Sequence, residues 1–339
     1  MSVLEPQGAV TSLPIDSEKR LMLFSGRATP QLAHDIAGKL GVELSPTTLK
    51  TFANGEVYCR YEESIRGADV FIVQSTCGNP ENGLTANDAL LELLVMIDAA
   101  VGASAHRVIA VLPWYGYSRQ DKKSAPREPI TARLVARMLE AAGADRVLTM
   151  DLHAGQVQGF FSKPVDHMTA RFILAQHFND LQIENLVVVA PDVGRAKLAQ
   201  KFAENVGADL AIMIKERPAQ QVAEIGYVIG DVRGKNAIIV DDIIDTAGTL
   251  CAATMTLLDQ GAGRVFAAAT HGVFSDPAFE NIAKTPLERV VVTDTIPRRS
   301  DAPEQIRQLP CAELLTDSIR RIFTDGSVSE VFGGENQLF

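Results

Sequence analysis

The sequence is poor in cysteine, and its four cysteines lie far apart, with no C-x-x-C pair among them. This spacing indicates neither a zinc site nor a disulfide framework. Positive charge is also in deficit, because the formal net charge is −10 at pH 7. We therefore exclude a general nucleic-acid-binding protein, which would present a basic face, and expect no nucleic-acid partner.

Long apolar runs are missing as well. The most apolar stretch, residues 89–103, contains Glu92 and Asp98 and is typical of a core helix rather than of a membrane span. The first 18 residues have neither the basic region nor the apolar region of a secretory signal, and their composition predicts a disordered tail. We expect a cytoplasmic protein with no membrane partner, in which the folded part begins near Lys19.

What the sequence does contain is a regular alternation of short apolar runs and helical patterns, which predicts an α/β fold with mainly parallel sheets flanked by helices. Strands are predicted at 21–24, 70–73, 108–112, 146–150, 186–190, 210–214, 237–240, 264–269 and 290–292. Helices are predicted at 30–40, 85–101, 168–178, 195–206, 250–259 and 313–323. A further helix is expected to open at Pro129 and to bury Leu134, Val135, Met138 and Leu139.

Two segments of the chain resemble each other: LEAAGADRV at 139–147 and LDQGAGRV at 258–265, each with a histidine seven residues after its arginine. In a chain long enough for two domains, this similarity predicts two copies of one α/β domain. We place them at 19–165 and 166–339, and expect the last helix to pack back on the first domain. On this alignment the loop at 114–127 in the first copy corresponds to the loop at 241–249 in the second.

The most informative stretch is 237–250, where four apolar residues lead into Asp241 and Asp242 and a helical pattern follows. Between them lies Asp245-Thr246-Ala247-Gly248-Thr249. A strand, a tight loop and a helix N-terminus form an anion site, because unpaired N–H groups and the helix dipole point at the ligand. The acids suit hydroxyl groups, so the stretch predicts a ligand such as a sugar phosphate. Two adjacent aspartates alone would leave a solvated strand end as the better interpretation.

Two further loops carry residue types that suit ligand binding. The loop 114–127 holds four basic residues after a predicted strand, where ligands bind in open α/β sheets, and this placement favours polyanion contact over a solvated charged surface. We expect residues 115–128 to form a mobile lid, since the segment is long for a connection between a strand and a helix. The turn at 52–56 presents Phe52, Asn54 and Glu56, and by itself is equally typical of a purely structural hairpin.

From about residue 19 to the end, these motifs together resemble the ribose-phosphate diphosphokinase family. The matching motifs are F-A-N-G-E (52–56), G-Y-S-R-Q-D-K-K (116–123), D-L-H (151–153), Q-x-Q-G-F-F (156–161), P-D-V-G-R-A-K (191–197), K-E-R (215–217), V-D-D-I-I-D-T-A-G-T (240–249) and T-H-G-V-F-S (270–275). The resemblance implies two tandem type I phosphoribosyltransferase-like domains. It also implies transfer of the β,γ-diphosphoryl group of ATP to the 1-hydroxyl of ribose 5-phosphate, which releases AMP and forms the precursor of nucleotides, NAD, histidine and tryptophan.

The same resemblance implies roles for individual residues. ATP would be bound by Phe52, Asn54, Glu56, Arg119, Gln120 and Arg127. Ribose 5-phosphate would be bound by Arg217, Asp241, Asp242, Asp245, Thr246, Ala247, Gly248 and Thr249. Lys215 and Arg217 would be catalytic, and His153 and Asp192 would hold Mg²⁺, although a histidine is an unusual ligand for this hard cation. The family also implies a homohexamer in which residues 52–56 reach a neighbouring subunit, with phosphate as an activator and the region of Ser327 and Ser329 involved in regulation.

Two alternatives stay open beside an active synthetase. A base-transferring phosphoribosyltransferase would need only one such domain and would lack K-E-R and F-A-N-G-E. A non-catalytic regulatory paralogue would be expected to have lost catalytic residues, yet His153, Lys215, Arg217 and the loop arginines are present. Trp114 and Ser124 depart from the residue types expected in the basic loop.

Overall fold

A computed structural model of the chain describes residues 19–219 and 222–332, without the side chains of 215–226 and 332. The tail predicted at 1–18 lies outside the described residues. The strands are β1 (Leu21–Ser25), β2 (Thr47–Thr51), β3 (Val57–Tyr61), β4 (Asp69–Val73), β5 (Arg107–Leu112), β6 (Arg146–Met150), β7 (Val165–Met168), β8 (Leu186–Ala190), β9 (Asp209–Ala219), β10 (Val222–Ile229), β11 (Asn236–Ile244), β12 (Val265–Gly272), β13 (Arg289–Thr293) and β14 (Ile306–Leu309). The α-helices are α1 (Pro30–Leu40), α2 (Ala86–Gly102), α3 (Thr131–Ala142), α4 (Arg171–Asp180), α5 (Ala196–Val206), α6 (Gly248–Asp259), α7 (Ala278–Lys284) and α8 (Ala312–Phe323).

Twelve of the strands form two larger sheets, as the alternation of apolar runs and helices predicts, and β2 and β3 form a separate antiparallel hairpin. The first sheet has the order β1-β4-β5-β6-β7, and each pair is parallel. The second has the order β10-β9-β8-β11-β12-β13-β14, in which only the β9–β10 pair is antiparallel. The strands are rich in valine, isoleucine and leucine because helices cover the sheets, so that the strands are buried on both faces.

The two sheets repeat one connectivity. In chain order β1, β4, β5, β6 and β7 correspond to β8, β11, β12, β13 and β14, and in each half a hairpin follows the first strand. The internal similarity at 139–147 and 258–265 had aligned β6 with β12, whereas the sheet order aligns β6 with β13. The two similar segments are therefore helix–strand junctions that do not occupy equivalent positions: the second lies one strand earlier in its sheet than the first. The basic loop after β5 corresponds to the loop after β12, and the predicted equivalence with the loop at 241–249 is wrong.

Helices from both halves share one layer between the sheets. One apolar cluster contains buried residues of α1, α4, α5 and α8 together with strands of both sheets. Within it α8 packs against α1, and Ile36 and Ile319 are fully buried. Gly41 ends α1 in the left-handed conformation, at φ 75°, which glycine adopts without the steric cost that a Cβ brings.

Several predicted boundaries are corrected by the structure. The helix after the basic loop begins at Thr131 rather than Pro129, since the carboxylate of Glu128 accepts hydrogen bonds from the backbone N–H groups of Ser124 and Ala125 and closes a separate turn. Leu134 is 53% exposed, because the buried face of α3 consists of Ala132, Val135, Ala136 and Leu139. Met138 is half-buried.

Other elements were not predicted. Met168 ends the short strand β7 instead of starting a helix, and the strand predicted at 210–214 continues to Ala219 and pairs with β10. The elements β7, β14 and α7 are too short to contain a long apolar run, and Glu224 and Gly226 interrupt the apolar residues of β10. The stretch 89–103 lies in α2, which buries Glu92 as expected of a core helix. Within the described ranges no helix has the length and apolar character that crossing a membrane requires.

Candidate active site

The acidic pair predicted to bind a sugar lies inside a strand rather than beyond its end. Strand β11 continues to Ile244, and Asp241 is paired in register with Ala269 of β12. On its other side, β11 pairs with β8 only as far as Ile239. At the two acids, β11 is therefore paired with β12 on one side and is unpaired on the side of β8. The side chain of Asp242 is only 5% exposed.

The predicted phosphate loop lies directly beside these acids. Ala247 stands at the N-cap position of α6 in the left-handed conformation, at φ 60°. Its side chain accepts no hydrogen bond from the first N–H groups of the helix. Residues 241–250 line a cavity of about 200 Å³. The acids and a helix N-terminus thus face one space, as the sequence predicts.

The first half of the chain supplies a histidine to the same cavity. His153 follows β6, and its Nδ1 lies 2.8 Å from Oδ2 of Asp242. The turn that carries His153 is held by the second half: the Thr270 hydroxyl donates to Asp151 Oδ2 at 2.6 Å, and His271 Nε2 lies 3.2 Å from the carbonyl oxygens of Met150 and Asp151. The T-H-G segment that the sequence analysis left without a role therefore fastens the D-L-H turn across the two sheets.

His271 is fully buried, and burial lowers its pKa, so that it is neutral near pH 7. Its ring packs against the ring of Trp114 at a tilt of 58°, with centroids 4.6 Å apart, and its Nδ1 lies 2.9 Å from the Thr295 hydroxyl. Because Nε2 faces two carbonyl acceptors, the proton is assigned to Nε2. The tryptophan that departs from the expected residue type thus packs at the junction of the two halves.

Arg195 is the site residue that the sequence analysis missed. Its Nε lies 3.1 Å from Asp241 Oδ1, and its Nη2 lies 2.9 Å from Asp242 Oδ1 and 2.6 Å from His153 Nδ1. The signal was present in the P-D-V-G-R-A-K motif, of which only Asp192 had been assigned a role. A basic residue three positions after that aspartate enters the cavity because a 3₁₀ turn, Val193–Arg195, leads into α5.

Charge at the cavity floor is divided unequally between the two acids. Burial and the neighbouring Asp242 raise the pKa of Asp241 well above its usual range, against the opposing charge of Arg195. Burial also acts to raise the pKa of Asp242, but hydrogen bonds from His153 and Asp241 and the charge of Arg195 outweigh it and lower that pKa to about 2. Asp242 is therefore a permanent carboxylate, while Asp241 takes up a proton more readily.

The basic loop reaches the cavity through Arg119. Its Nη1 lies 2.5 Å from Asp245 Oδ2, which joins the loop of the first half to the phosphate loop of the second. The base of the loop is not mobile surface: Tyr115 is 1% exposed, and Gly116 lies so close to the Thr76 carbonyl that a Cβ there would be 2.6 Å from it. Asp121 is buried as well and accepts a hydrogen bond from Gln156 at 2.7 Å, so the exposed residues at 119–120 and 122–128 are left for the mobile lid that the sequence predicts.

The other predicted ATP-binding residues are not brought to this cavity. Gln120 lines a neighbouring groove and accepts a hydrogen bond from the Thr131 hydroxyl at 2.5 Å. The described lining of the cavity does not include Phe52, Asn54 or Glu56, which lie exposed at the tip of the β2–β3 hairpin. Arg127 is also exposed and outside that lining.

The two predicted Mg²⁺ ligands, His153 and Asp192, both line the cavity. Asp192 also caps the 3₁₀ turn, where its Oδ1 accepts from the Arg195 N–H at 3.2 Å. In the described part of the chain no three His, Cys, Asp or Glu side chains are grouped to hold a metal by themselves. Asp192 fits Mg²⁺ bound to a nucleotide, because that ion commonly takes one or two carboxylates and completes its shell with phosphate oxygens and water, whereas His153 would be an unusual ligand.

The predicted catalytic cations can be placed only by their backbone. Lys215 and Arg217 lie in β9, and their side chains are outside the described residues. Ile212 is paired with Ala190 at the end of β8, immediately before Pro191 and Asp192. Lys215 and Arg217 therefore follow at the carboxyl edge of the sheet, the edge that carries the cavity.

This geometry can be compared with that of known proteins. Residues 21–143 match the model of the N-terminal domain of ribose phosphate pyrophosphokinase, and residues 214–333 match that of the phosphoribosyl synthetase-associated domain. The chain is 49% identical over 314 residues to the ribose-phosphate pyrophosphokinase of Caldanaerobacter subterraneus, which covers 92% of this chain and 98% of that protein. The chain belongs to the ribose-phosphate pyrophosphokinase family.

Other members of the family agree. The ribose-phosphate pyrophosphokinase of Chlorobaculum tepidum is 47% identical over 320 residues, covering 94% of this chain and 97% of that protein. The crystal structure of phosphoribosylpyrophosphate synthetase from Mycobacterium smegmatis is similar with a TM-score of 0.83 and 46% identity, over 91% of this chain and 100% of that one. The family resemblance and the α/β fold predicted from the sequence are therefore confirmed.

Proposed function

We infer that the chain is an active ribose-phosphate pyrophosphokinase. The 1-hydroxyl oxygen of ribose 5-phosphate attacks the β-phosphorus of ATP, the bond from that phosphorus to the α,β-bridging oxygen breaks, and AMP leaves. The observation that carries this inference is that one cavity of about 200 Å³ is lined by the two acids of β11, by the N-terminus of α6, and by Arg119 and His153 from the other half of the chain. A base-transferring phosphoribosyltransferase is disfavoured by full-length similarity to synthetases at 49% identity.

In this proposal ribose 5-phosphate lies along the edge of β11. The 5-phosphate is bound by the loop from Asp245 to Thr249, whose backbone N–H groups and helix dipole favour an anion. Asp241 and Asp242 accept hydrogen bonds from the ribose hydroxyls, which the low pKa of Asp242 supports because a carboxylate is a pure acceptor. The anomeric carbon then points toward His153, across the junction of the halves.

ATP is proposed to enter from the side of the basic loop, where Arg119 lines the cavity. His153 and Asp192 would hold Mg²⁺, which when bound neutralises charge on the phosphate oxygens. Lys215 and Arg217 are proposed to stabilise negative charge that develops on the transferred group, since phosphoryl transfer depends on positioning and electrostatics. Gln120 and Arg127 remain proposed ATP contacts that need a movement of the loop.

The test of the function is a product assay. Incubation with ATP, Mg²⁺ and ribose 5-phosphate is expected to yield AMP and phosphoribosyl diphosphate in equal amounts, measured by anion-exchange chromatography and mass spectrometry. Release of ADP, or AMP formed equally without the sugar phosphate, would contradict the proposal. A regulatory paralogue would bind ATP without forming either product.

We also propose that the active form is a homo-oligomer, a hexamer by family, in which the β2–β3 hairpin serves a neighbouring ATP site. Phe52 is 44% exposed, and its ring is held in place by Tyr58, at 5.8 Å between centroids, and by the Lys50 ammonium, 5.0 Å above it. A rigid aromatic ring at an exposed tip is suited to stack on a base outside its own subunit.

Mixing two inactive variants tests this sharing of sites. Glu56→Ala removes a hairpin group and Lys215→Ala removes a catalytic group, so mixed oligomers are expected to regain some activity in sites that combine two intact parts. The measurement is AMP formation after joint refolding or subunit exchange, compared with each variant alone. A wild-type enzyme that sediments as a monomer with full activity would rule the sharing out.

Phosphate as an activator and a cytoplasmic location complete the proposal. Ser327 and Ser329 lie near the chain end with hydroxyls 2.9 Å apart, and Arg321 donates to the Ser327 carbonyl oxygen at 3.0 Å. Arg321 also pairs with Glu330 at 2.7 Å, so an anion bound to this segment would compete with that carboxylate. The described cysteines are all free thiols, which fits a reducing compartment.

A further inference from the structure

Arg195 lies where two cavities meet. It lines the cavity of about 200 Å³ that holds the acid pair, and also a second cavity of about 270 Å³ on the side of Thr169 and Gln156. Its side chain is 18% exposed, and its Nη1 donates to the carbonyl oxygen of His153 at 3.2 Å. The guanidinium is therefore enclosed by the two acids and the histidine on one side and by the second cavity on the other.

The contacts of Arg195 use the same atoms that substrates are proposed to use. Asp241 Oδ1 and Asp242 Oδ1 face its Nε and Nη2, at 3.1 and 2.9 Å, while the ribose hydroxyls need these oxygens as acceptors. Its Nη2 also lies 2.6 Å from Nδ1 of His153, the proposed metal ligand. A guanidinium is always charged, so it provides the acids with a positive charge that a bound cation would otherwise provide.

The two contacts of His153 Nδ1, with Arg195 and with Asp242, cannot both be hydrogen bonds. His153 Nδ1 lies 2.6 Å from Arg195 Nη2 and 2.8 Å from Asp242 Oδ2. A ring nitrogen either carries a hydrogen and donates to the carboxylate, or has a lone pair and accepts from the guanidinium, but not both. The arrangement therefore holds one unfavourable contact whichever tautomer is present, and a small movement of Arg195 relieves it.

We propose that Arg195 is an intramolecular cation that holds Asp241, Asp242 and His153 in register and exchanges its place with Mg²⁺ and the ribose hydroxyls when they bind. The inference rests on the proposed function, because it takes this cavity as the ribose-phosphate and metal site. On exchange the guanidinium turns toward the second cavity, which it already lines. Arg195 is thus a positioning residue that competes with the ligands, rather than a residue that binds them.

The test replaces Arg195 with Met, which keeps the length of the side chain and removes the charge. The probe is Mn²⁺ added to the full-length protein with a fixed concentration of α,β-methylene-ATP and without ribose 5-phosphate, because the two protein ligands need phosphate oxygens to complete the metal shell. Free Mn²⁺ is measured by electron paramagnetic resonance. Removal of one positive charge within a few ångströms of a cation site is expected to tighten Mn²⁺ binding by at least about tenfold, comparable to the effect of one nearby charge on a pKa. KM for ribose 5-phosphate is expected to stay within about threefold of wild type or to fall, because the same competitor is removed.

Two controls make the result specific. Lys284→Met removes one positive charge from an exposed position on α7, 74% exposed at the side chain, and is expected to bind Mn²⁺ as wild type does. Arg195→Lys keeps the charge and is expected to leave Mn²⁺ binding close to wild type. Arg195→Gln provides a second neutral variant, expected to behave as Arg195→Met does, should the Met variant unfold.

The opposite results are distinguishable. A rise of tenfold or more in KM for ribose 5-phosphate with unchanged Mn²⁺ affinity would show that Arg195 binds substrate and would overturn the inference. Mn²⁺ binding in both neutral variants equal to that in Lys284→Met would overturn it as well. An Asp242→Asn variant measured in parallel separates the two levels: if it too changes nothing, the proposed site itself is wrong, whereas an effect of Asp242→Asn alone rejects only the role of Arg195.

Discussion

Replacing Lys215 or Arg217 with Ala is expected to lower kcat by roughly 10²–10³, about 3–4 kcal/mol, the usual cost of losing one preorganised donor at a developing charge. The two residues lie two positions apart in β9, and residues two apart on a strand share a face. β9 runs parallel to β8, so both residues follow the paired position Ile212 toward the edge of the sheet that carries the acid pair. Because the charge on the transferred group grows only in the transition state, kcat is expected to fall more than KM rises.

The measurement is steady-state kinetics with the fold checked by circular dichroism. Glu216→Gln is the matched control, since Glu216 stands between the two cations in the sequence and carries the opposite charge. We expect this control to keep kcat within about threefold of wild type, because it removes no donor from the developing negative charge. If Lys215→Ala and Arg217→Ala keep kcat as well as the control does, neither residue takes part in the chemistry.

Asp242→Asn is expected to raise KM for ribose 5-phosphate by about 10–100-fold, because a hydrogen bond to a charged group contributes roughly 1.5–3 kcal/mol. The carboxylate is 5% exposed and has a pKa of about 2, so it is ionised at every pH at which the enzyme would be assayed. The asparagine has nearly the same shape but one oxygen fewer. KM for ATP is expected to stay within about threefold, since ATP is proposed to lie on the side of Arg119.

Asp209→Asn is the control for the loss of one acid, because Asp209 lies at the start of β9 and its side chain is 73% exposed. We expect this control to leave both KM values unchanged. Thermal unfolding belongs in the comparison, since removing one partner of a buried ion pair leaves Arg195 less compensated, and such changes cost about 3–5 kcal/mol when the partner is buried. Equal KM values for ribose 5-phosphate in Asp242→Asn and Asp209→Asn would remove Asp242 from the sugar site.

Secondary structure was predicted correctly where residues close together in the chain determine it, and incorrectly where distant partners do. The strand, loop and helix of 237–250 depend on neighbouring residues, and the structure contains all three, with Ala247 as the cap of α6 and with the two acids inside the strand rather than after it. The bounds of β6 and β8 agree with prediction to the residue, because β8 is a continuous apolar run and β6 is apolar except for Arg146 and Thr149. The strand β7 was missed because it is short and half polar. The extension of β9 and its partner β10 were missed because the antiparallel pairing between the two strands decides their conformation.

The sequence by itself determined the family, the types of residue at the site and the local loops that carry them, because motifs and periodicity depend on residues close together in the chain. Tertiary structure alone decided which atoms meet. His153 contacts Asp242 across 89 positions, and Thr270 reaches Asp151 across 119, only because the two sheets pack with their carboxyl edges together. Arg195 enters the site for the same reason. Apolar periodicity specifies which face of a strand or helix is buried, but the order of strands and the packing of one sheet on another arise from contacts that no local pattern encodes.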